Sequence, residues 1–240
     1  MPAMLTYAIG DIHGSYTKLR NLLDRCTEHR GATEYRIVFL GDYIDRGPGS
    51  QQVVELLINT QSRAPDRVTC LRGNHEDMLL NAVHYGEHAP WLANGGGTTL
   101  ASYRVSRADD IQPAHLNWFR SLPIAIADPK RLYVHAGVRP GVPLQQQSGH
   151  DLLWIREPFL SDPRDHGLYI VHGHTPIRSG MPELRRNRLN LDTGAYFGGP
   201  LTAAVFDETR VGPIAFITDA GLIVTPGASF AGADLTSHGR

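Results

Sequence analysis

The sequence predicts an α/β fold in which a parallel βα half is followed by a mainly β half, the two halves packing as two sheets. Two patterns carry this expectation. The N-terminal part alternates short apolar strand runs with helical apolar periodicity three times over, and the C-terminal part holds a series of short strand runs without comparable periodicity. A third observation agrees: 25 Gly and 16 Pro in 240 residues supply the sharp turns that many short elements need.

Leu5–Ile9 is the first strand run and empties into Gly10-Asp11-Ile12-His13-Gly14. Ser15 stands where an N-cap belongs, and Leu19, Leu22, Leu23 and Cys26 then recur at i, i+3, i+4 and i+7 as one apolar helix face. Arg36–Leu40 is the second strand, ending in Gly41-Asp42, and Ser50 opens a helix with Val53, Val54, Leu57 and Ile58 on one side. Val68–Leu71 is the third strand, ending in Gly73-Asn74-His75-Glu76, with Met78, Leu79 and Ala82 on the helix behind it. Three such units imply parallel strands with right-handed crossovers, and ligands of such sheets gather at the carboxyl ends of the strands. In the second half, Ile124–Ala127 and Arg131–His135 flank Asp128-Pro129-Lys130 as a hairpin. Strands follow at Tyr169–Val171, Leu189–Leu191, Leu201–Phe206, Ile214–Thr218 and Leu222–Thr225, all expected in the second sheet. Asn94-Gly95-Gly96-Gly97 is a break that serves either as a linker or as a substrate-side loop, and 226–240 reads as a flexible tail of one domain spanning 1–240.

Composition narrows the function classes. Lys+Arg 23 against Asp+Glu 24 leaves a net charge of −1, so no global field draws the protein to nucleic acid or to an anionic membrane. Two cysteines, Cys26 and Cys70, make no disulfide framework. The N-terminus lacks a basic region followed by an apolar core, and no apolar run approaches membrane-spanning length, so a cytoplasmic, soluble protein is expected. Without coiled-coil heptads, a monomer is expected.

Twelve histidines stand out beside the two cysteines. Asp11 and His13, two apart at a strand end, can point to one side and share an ion. Asp42 ends the next strand, and Asn74 and His75 the third, so three successive loops deliver oxygen or imidazole donors to one edge. His135-Ala136-Gly137 and His172-Gly173-His174-Thr175 follow later strand runs. One strand-end histidine is usually structural; several with small neighbours are not. Imidazole and hard oxygen without thiolate suits Mn, Fe or Zn.

Gly10-Asp11-Ile12-His13-Gly14, Gly41-Asp42-Tyr43-Ile44-Asp45-Arg46-Gly47, Gly73-Asn74-His75-Glu76, His135-Ala136-Gly137 and Gly173-His174-Thr175 resemble, in order, the five signature blocks of the phosphoprotein phosphatases. These are calcineurin-like two-metal phosphoesterases, bacterial-type members included. The resemblance implies a four-layer α/β/β/α sandwich of two mixed sheets flanked by helices. It implies Asp11 and His13 as ligands of a first metal, Asp42 as the bridge, and Asn74, His135 and His174 as ligands of a second, with Mn²⁺ the usual ion. His75 matches the histidine beside the leaving oxygen and Asp45 its carboxylate partner. Arg46 and Arg156, the latter in Trp154-Ile155-Arg156-Glu157, match the arginines that grip phosphate beside Asn74. His172 has no counterpart among the ligands and is structural or supports one.

The implied chemistry is phosphomonoester hydrolysis by a hydroxide bridging two ions, with His75 as general acid. A metal-binding scaffold without catalysis predicts replaced ligands, yet each matched position is filled. The Asp42–Arg46 and Asn74–Glu76 blocks resemble the serine/threonine branch, and the dinucleoside tetraphosphate hydrolases typically lack the aspartate at 45. Leu191-Asp192-Thr193-Gly194-Ala195 and Gly198-Gly199-Pro200-Leu201-Thr202 resemble a segment shared by symmetrical dinucleotide hydrolases and small bacterial protein phosphatases. The expected partner is therefore a phosphorylated protein, on serine or threonine and also on tyrosine, with a phosphate-ester small molecule such as a dinucleoside tetraphosphate as the alternative. The chain lacks the Ser-Ala-Pro-Asn-Tyr loop of the eukaryotic enzymes and their C-terminal extension. Residues 91–98 either rim the cleft or merely join two helices, and Trp154 either packs in the core or stacks on substrate.

Overall fold

Successive residues of the first strand face different cores, which places that strand at the centre of the molecule. In β1 (Leu5–Ile9), Tyr7 and Ile9 face the layer of α1 (Tyr16–Arg30) and α2 (Ser50–Arg63), while Ala8 faces a second sheet. The structure, a computed structural model, describes residues 4–221, 223 and 224. The tail expected at 226–240 and both ends of the last expected strand, Leu222 and Thr225, lie outside the described residues.

β2 (Tyr35–Phe39) and β3 (Val68–Cys70) continue parallel from β1, with α3 (Asn74–Tyr85) following directly. Three further helices come next: α4 (His88–Trp91), α5 (Gly97–Tyr103) and α6 (Pro113–Ser121). The Asn94–Gly97 break is a wide helical turn joining α4 to α5. Ser15 occupies the N-cap position of α1, but its side chain makes no capping bond.

β4 (Ala125–Ala127) and β5 (Arg131–Val134) form the expected hairpin, closed by Asp128 Oδ1 accepting the Lys130 and Arg131 N–H groups at 2.7 and 2.8 Å. After α7 (Gly149–Trp154) come β6 (Tyr169–His172), β7 (Glu183–Leu184) and β8 (Arg188–Asn190), giving a mixed second sheet in the order β4-β5-β6-β8-β7.

The later strands correct the expectation that the second half builds the second sheet alone. β9 (Thr202–Phe206), β10 (Ala215–Thr218) and β11 (Ile223–Val224) cross back to the first sheet, ordered β11-β10-β9-β1-β2-β3, with β9 antiparallel to β1. The composition of β9 explains this. Ala203 and Val205 enter the helix-side core while Ala204 and Phe206 enter the inter-sheet core, so the strand needs cover on both faces. On the outer side of the second sheet, Leu132, Val134 and Ile170 pack with Leu152 of α7, Ile155 and Phe159. The layers run helix, sheet, sheet, helix, as the resemblance implied.

Candidate active site

The parallel strands β1, β2, β3, β5, β6 and β8 deliver their carboxyl ends to one edge of the sandwich. Asp11, His13, Asp42, Asn74, His75, His135 and His174 come together there and are all buried. Two donor clusters meet at one residue: His13, Asp42 and His75 form the first, and Asp42, His135 and His174 the second.

Backbone contacts fix the tautomers. His13 Nδ1 lies 2.8 Å from the Ile44 carbonyl and His135 Nδ1 2.9 Å from that of Leu40, so each donates there and presents a bare Nε2 inward. Those two Nε2 atoms flank the Asp42 carboxylate, each 3.4 Å from one oxygen. His135 Nε2 also sits 2.8 Å from Asn74 Oδ1, and His174 Nδ1 3.0 Å from the same oxygen. Burial holds His13 well below the usual imidazole range and lowers His135 to about 3 and His174 to about 2, so these rings are neutral. The bare nitrogens of His13 and His135 thus point lone pairs at the oxygens of Asp42 and, for His135, of Asn74. Divalent cations fit this donor set and resolve the conflict.

The buried carboxylates make the same demand. Burial, then the neighbouring Asp192, holds Asp11 well above the carboxylate range; burial, then Glu76, does the same to Asp42. Asp11 lies outside both clusters, its oxygens each taking the His174 N–H at 3.1 Å. A Cβ at Gly173 would collide with Asp11 Oδ1, so only glycine lets the two strand ends approach this closely. His13, Asp42, Asp45, Arg46 and His174 all have φ between 45° and 70°, a strained backbone concentrated at this edge.

Beside the first cluster, His75 Nδ1 lies 2.7 Å from Asp45 Oδ2, and His75 Nε2 points inward, 3.9 Å from Asp42. Asp45 is held in turn by Trp91 Nε1, 3.0 Å from both of its oxygens, and by Thr99 Oγ1 at 2.6 Å. Burial raises Asp45 to about 7 against the pull of those two donors. Arg46 donates from Nη1 to His13 Nε2 at 3.1 Å and lies over the Tyr196 ring. Arg156 is exposed and acts electrostatically on His174 and Asp192. His172 faces away, its ring 5.0 Å from that of Phe159 in the outer core. Trp154 is partly buried, stacked on His150 and edge-on to His174.

Sequence reasoning gave no role to five residues of this edge: Glu76, Trp91, Thr99, Asp192 and Tyr196. Glu76 accepts the backbone N–H groups of Asp42, Tyr43 and Gly73 at 2.8 to 2.9 Å and so shapes the Asp42 loop. Asp192 follows β8, and among the described residues its buried Oδ2 has no hydrogen-bond partner. The strand-end rule that found Asp11 also applies to Leu189–Leu191 and finds Asp192. No local signal marks Trp91 or Thr99, and residues 91–98 join two helices while touching the site through Trp91 at Asp45 and the Gly95 carbonyl, which accepts the Arg46 N–H at 3.3 Å.

Residues 4–212 match the family model of the calcineurin-like phosphoesterases. Serine/threonine-protein phosphatase 1 of Salmonella typhimurium is 33% identical over 82% of this chain and 90% of its own length. The asymmetrical bis(5'-nucleosyl)-tetraphosphatase PrpE of Bacillus thuringiensis is 27% identical over 83% of this chain and 89% of its own. Among solved structures, a cold-active protein tyrosine phosphatase superposes with a TM-score of 0.69 over 94% of this chain and 80% of its own, at 19% identity, a likeness of fold. The match spans every strand end that carries a donor, and with the clusters meeting at Asp42 it makes this chain a member of the calcineurin-like phosphoesterase family, a metallophosphoesterase whose His and Asp groups are able to bind metal.

Proposed function

We propose that the protein is a two-metal phosphomonoesterase of bacterial type that removes phosphate from phosphoserine and phosphothreonine in proteins, with phosphotyrosine within its range. The observation that carries this reading is the sharing of Asp42 between two donor clusters beside the His75–Asp45 pair and the Arg46 guanidinium. The 33% identical serine/threonine phosphatase supports the substrate class. Asp11, His13 and Asp42 would hold a first ion and Asp42, Asn74, His135 and His174 a second, Mn²⁺ being our choice over Fe or Zn. Such ions supply Lewis acidity at the phosphoryl oxygens and a nucleophilic water at neutral pH. Arg46 and Arg156, with the Asn74 amide, grip the phosphoryl oxygens and stabilise their growing charge. His75, oriented by Asp45, delivers a proton to the departing oxygen from Nε2. The catalytic unit is one domain, and we place the enzyme in the cytoplasm as a monomer. Among the described residues no helix is long and apolar enough to cross a membrane.

The tetraphosphatase relative keeps a second reading in view, hydrolysis of dinucleoside tetraphosphates. Comparing kcat/KM of the Mn²⁺-loaded protein on a phosphothreonine peptide and on diadenosine tetraphosphate decides between them. A large preference for the peptide is expected; a preference for the dinucleotide overturns the phosphoprotein reading and leaves the metal site standing.

A further inference from the structure

Beyond the metal clusters, the same edge carries an aromatic wall with no role in the chemistry above. The chain after β8 passes Gly194, turns through Ala195–Phe197 and leaves by Gly198 and Gly199. Lys18 of α1 ties down both ends of this turn, donating to the Ala195 carbonyl at 2.7 Å and the Gly199 carbonyl at 2.6 Å. The Phe197 N–H at 2.9 Å and the Gly199 N–H at 3.0 Å both donate to the Gly194 carbonyl. The turn is therefore anchored, and what it holds out is apolar. Phe197 is 67% exposed, in a position where a polar side chain would cost less in water.

The wall starts at the reacting centre. The Tyr196 ring stands edge-on to His13, 4.9 Å between centroids, and the Arg46 guanidinium carbon lies 4.6 Å from the Tyr196 centroid. Phe197 continues outward, its ring 3.6 Å from that of Tyr196. A phosphoryl group held by Arg46 thus has an aromatic surface as its immediate neighbour.

We propose that Tyr196 and Phe197 form a subsite for an aromatic leaving group, which brings aryl phosphate esters, phosphotyrosine among peptides, within the range of a phosphatase acting on phosphoserine and phosphothreonine. This deepens the phosphomonoesterase reading and rests on it. The position of the wall selects the class. In an aryl ester the ring is bonded to the very oxygen that leaves, and so lies where Tyr196 and Phe197 begin. In phosphoserine or phosphothreonine that oxygen leads through one carbon to polar backbone. In a dinucleoside tetraphosphate a ribose and at least one phosphate separate any base from the bond that breaks, so its ring falls beyond the wall. Tyr196 supplies the inner contact and couples it to Arg46; Phe197 supplies the exposed face, and stacking geometry gives it preference for a flat ring.

The test uses the full, metal-loaded chain and two probes that differ only in the ring, phenylphosphonate and methylphosphonate, with binding measured by titration calorimetry. Wild-type protein is expected to bind the phenyl compound about tenfold more tightly, and Phe197→Ala to lose most of that advantage while binding methylphosphonate unchanged. Phe197→Leu, which keeps apolar bulk without a flat ring, is expected to recover only part of it. Equal affinity of the two probes for wild type, or an advantage that survives Phe197→Ala, overturns the subsite. In parallel, kcat/KM on matched phosphotyrosine and phosphothreonine peptides is expected to fall selectively for phosphotyrosine in Phe197→Ala, and equal loss on both peptides also overturns it. Turnover of diadenosine tetraphosphate with neither peptide cleaved would sink the phosphomonoesterase reading, whatever the phosphonates show about the subsite.

Discussion

Trp91 donates its indole N–H to both carboxylate oxygens of Asp45, each at 3.0 Å, across forty-six positions of sequence. With Thr99 at 2.6 Å on one oxygen and His75 at 2.7 Å on the other, the Asp45 carboxylate has one orientation available to it. Any role for His75 at the leaving oxygen therefore depends on Trp91 two contacts away.

Trp91→Phe keeps most of the buried ring and removes the donor. A buried carboxylate deprived of one hydrogen bond costs about 1–3 kcal/mol. We expect kcat to fall about tenfold with KM little changed, and the loss to grow as the leaving group becomes more basic. Steady-state kinetics on a series of aryl phosphates checks this, and a loss equal across the series would remove Trp91 from the path to His75.

The difference between what the sequence disclosed and what it hid is a difference of range. Asp11, His13, Asp42, Asn74, His135 and His174 each sit at the end of an apolar run, so a local pattern marks them and the topology of parallel strands gathers them. Trp91 and Thr99 act from two short helices outside any βα unit, and Glu76 acts by bonding the backbone of a loop some thirty residues earlier, so nothing local betrays them. The return of β9 to the first sheet was hidden for a related reason. Thr202–Phe206 reads as a strand wherever it goes, and only the presence of two cores to fill places it beside β1.

Asp42 is the one carboxylate common to both clusters, with bare imidazole nitrogens 3.4 Å from each oxygen. Asp42→Asn keeps the shape and halves the acceptor capacity, so both ions lose a charged ligand at once. We expect metal content, measured by inductively coupled plasma mass spectrometry after gel filtration, to drop together with activity. Wild-type metal content in this variant would mean that Asp42 does not bridge.

Asp192 gives a prediction with a pH signature. Burial raises its carboxyl to about 6, well above the usual carboxylate range, against the Gly194 N–H and the Arg46 and Arg156 guanidinium groups. A carboxyl raised on folding binds its proton more tightly in the folded chain, so its ionisation destabilises the metal-free fold progressively as pH climbs from about 4 to about 6. Asp192→Asn should therefore raise the Tm of the metal-free protein above pH 6 by a few degrees, and the gain should vanish near pH 4. The same variant should bind metal more weakly, since it removes a negative charge beside Asp11. A Tm difference independent of pH would show that the carboxylate charge is already compensated without metal.

His75→Asn separates the proton donor from the metal site. His75 Nδ1 is engaged by Asp45 and its Nε2 lies 3.9 Å from Asp42, so asparagine leaves the other donors of both clusters in place. We expect retained metal and a fall in kcat of about 10²–10⁴, steepest for the most basic leaving groups. The decisive arrangement is the double variant. If Trp91 acts only by orienting Asp45, and Asp45 only by orienting His75, then Trp91→Phe has nothing left to disturb once the imidazole is gone. The double variant should match His75→Asn alone in kcat, a coupling as large as the whole Trp91 effect. Additive losses would instead mean that Trp91 supports the site through its packing against Gly96, independently of the proton.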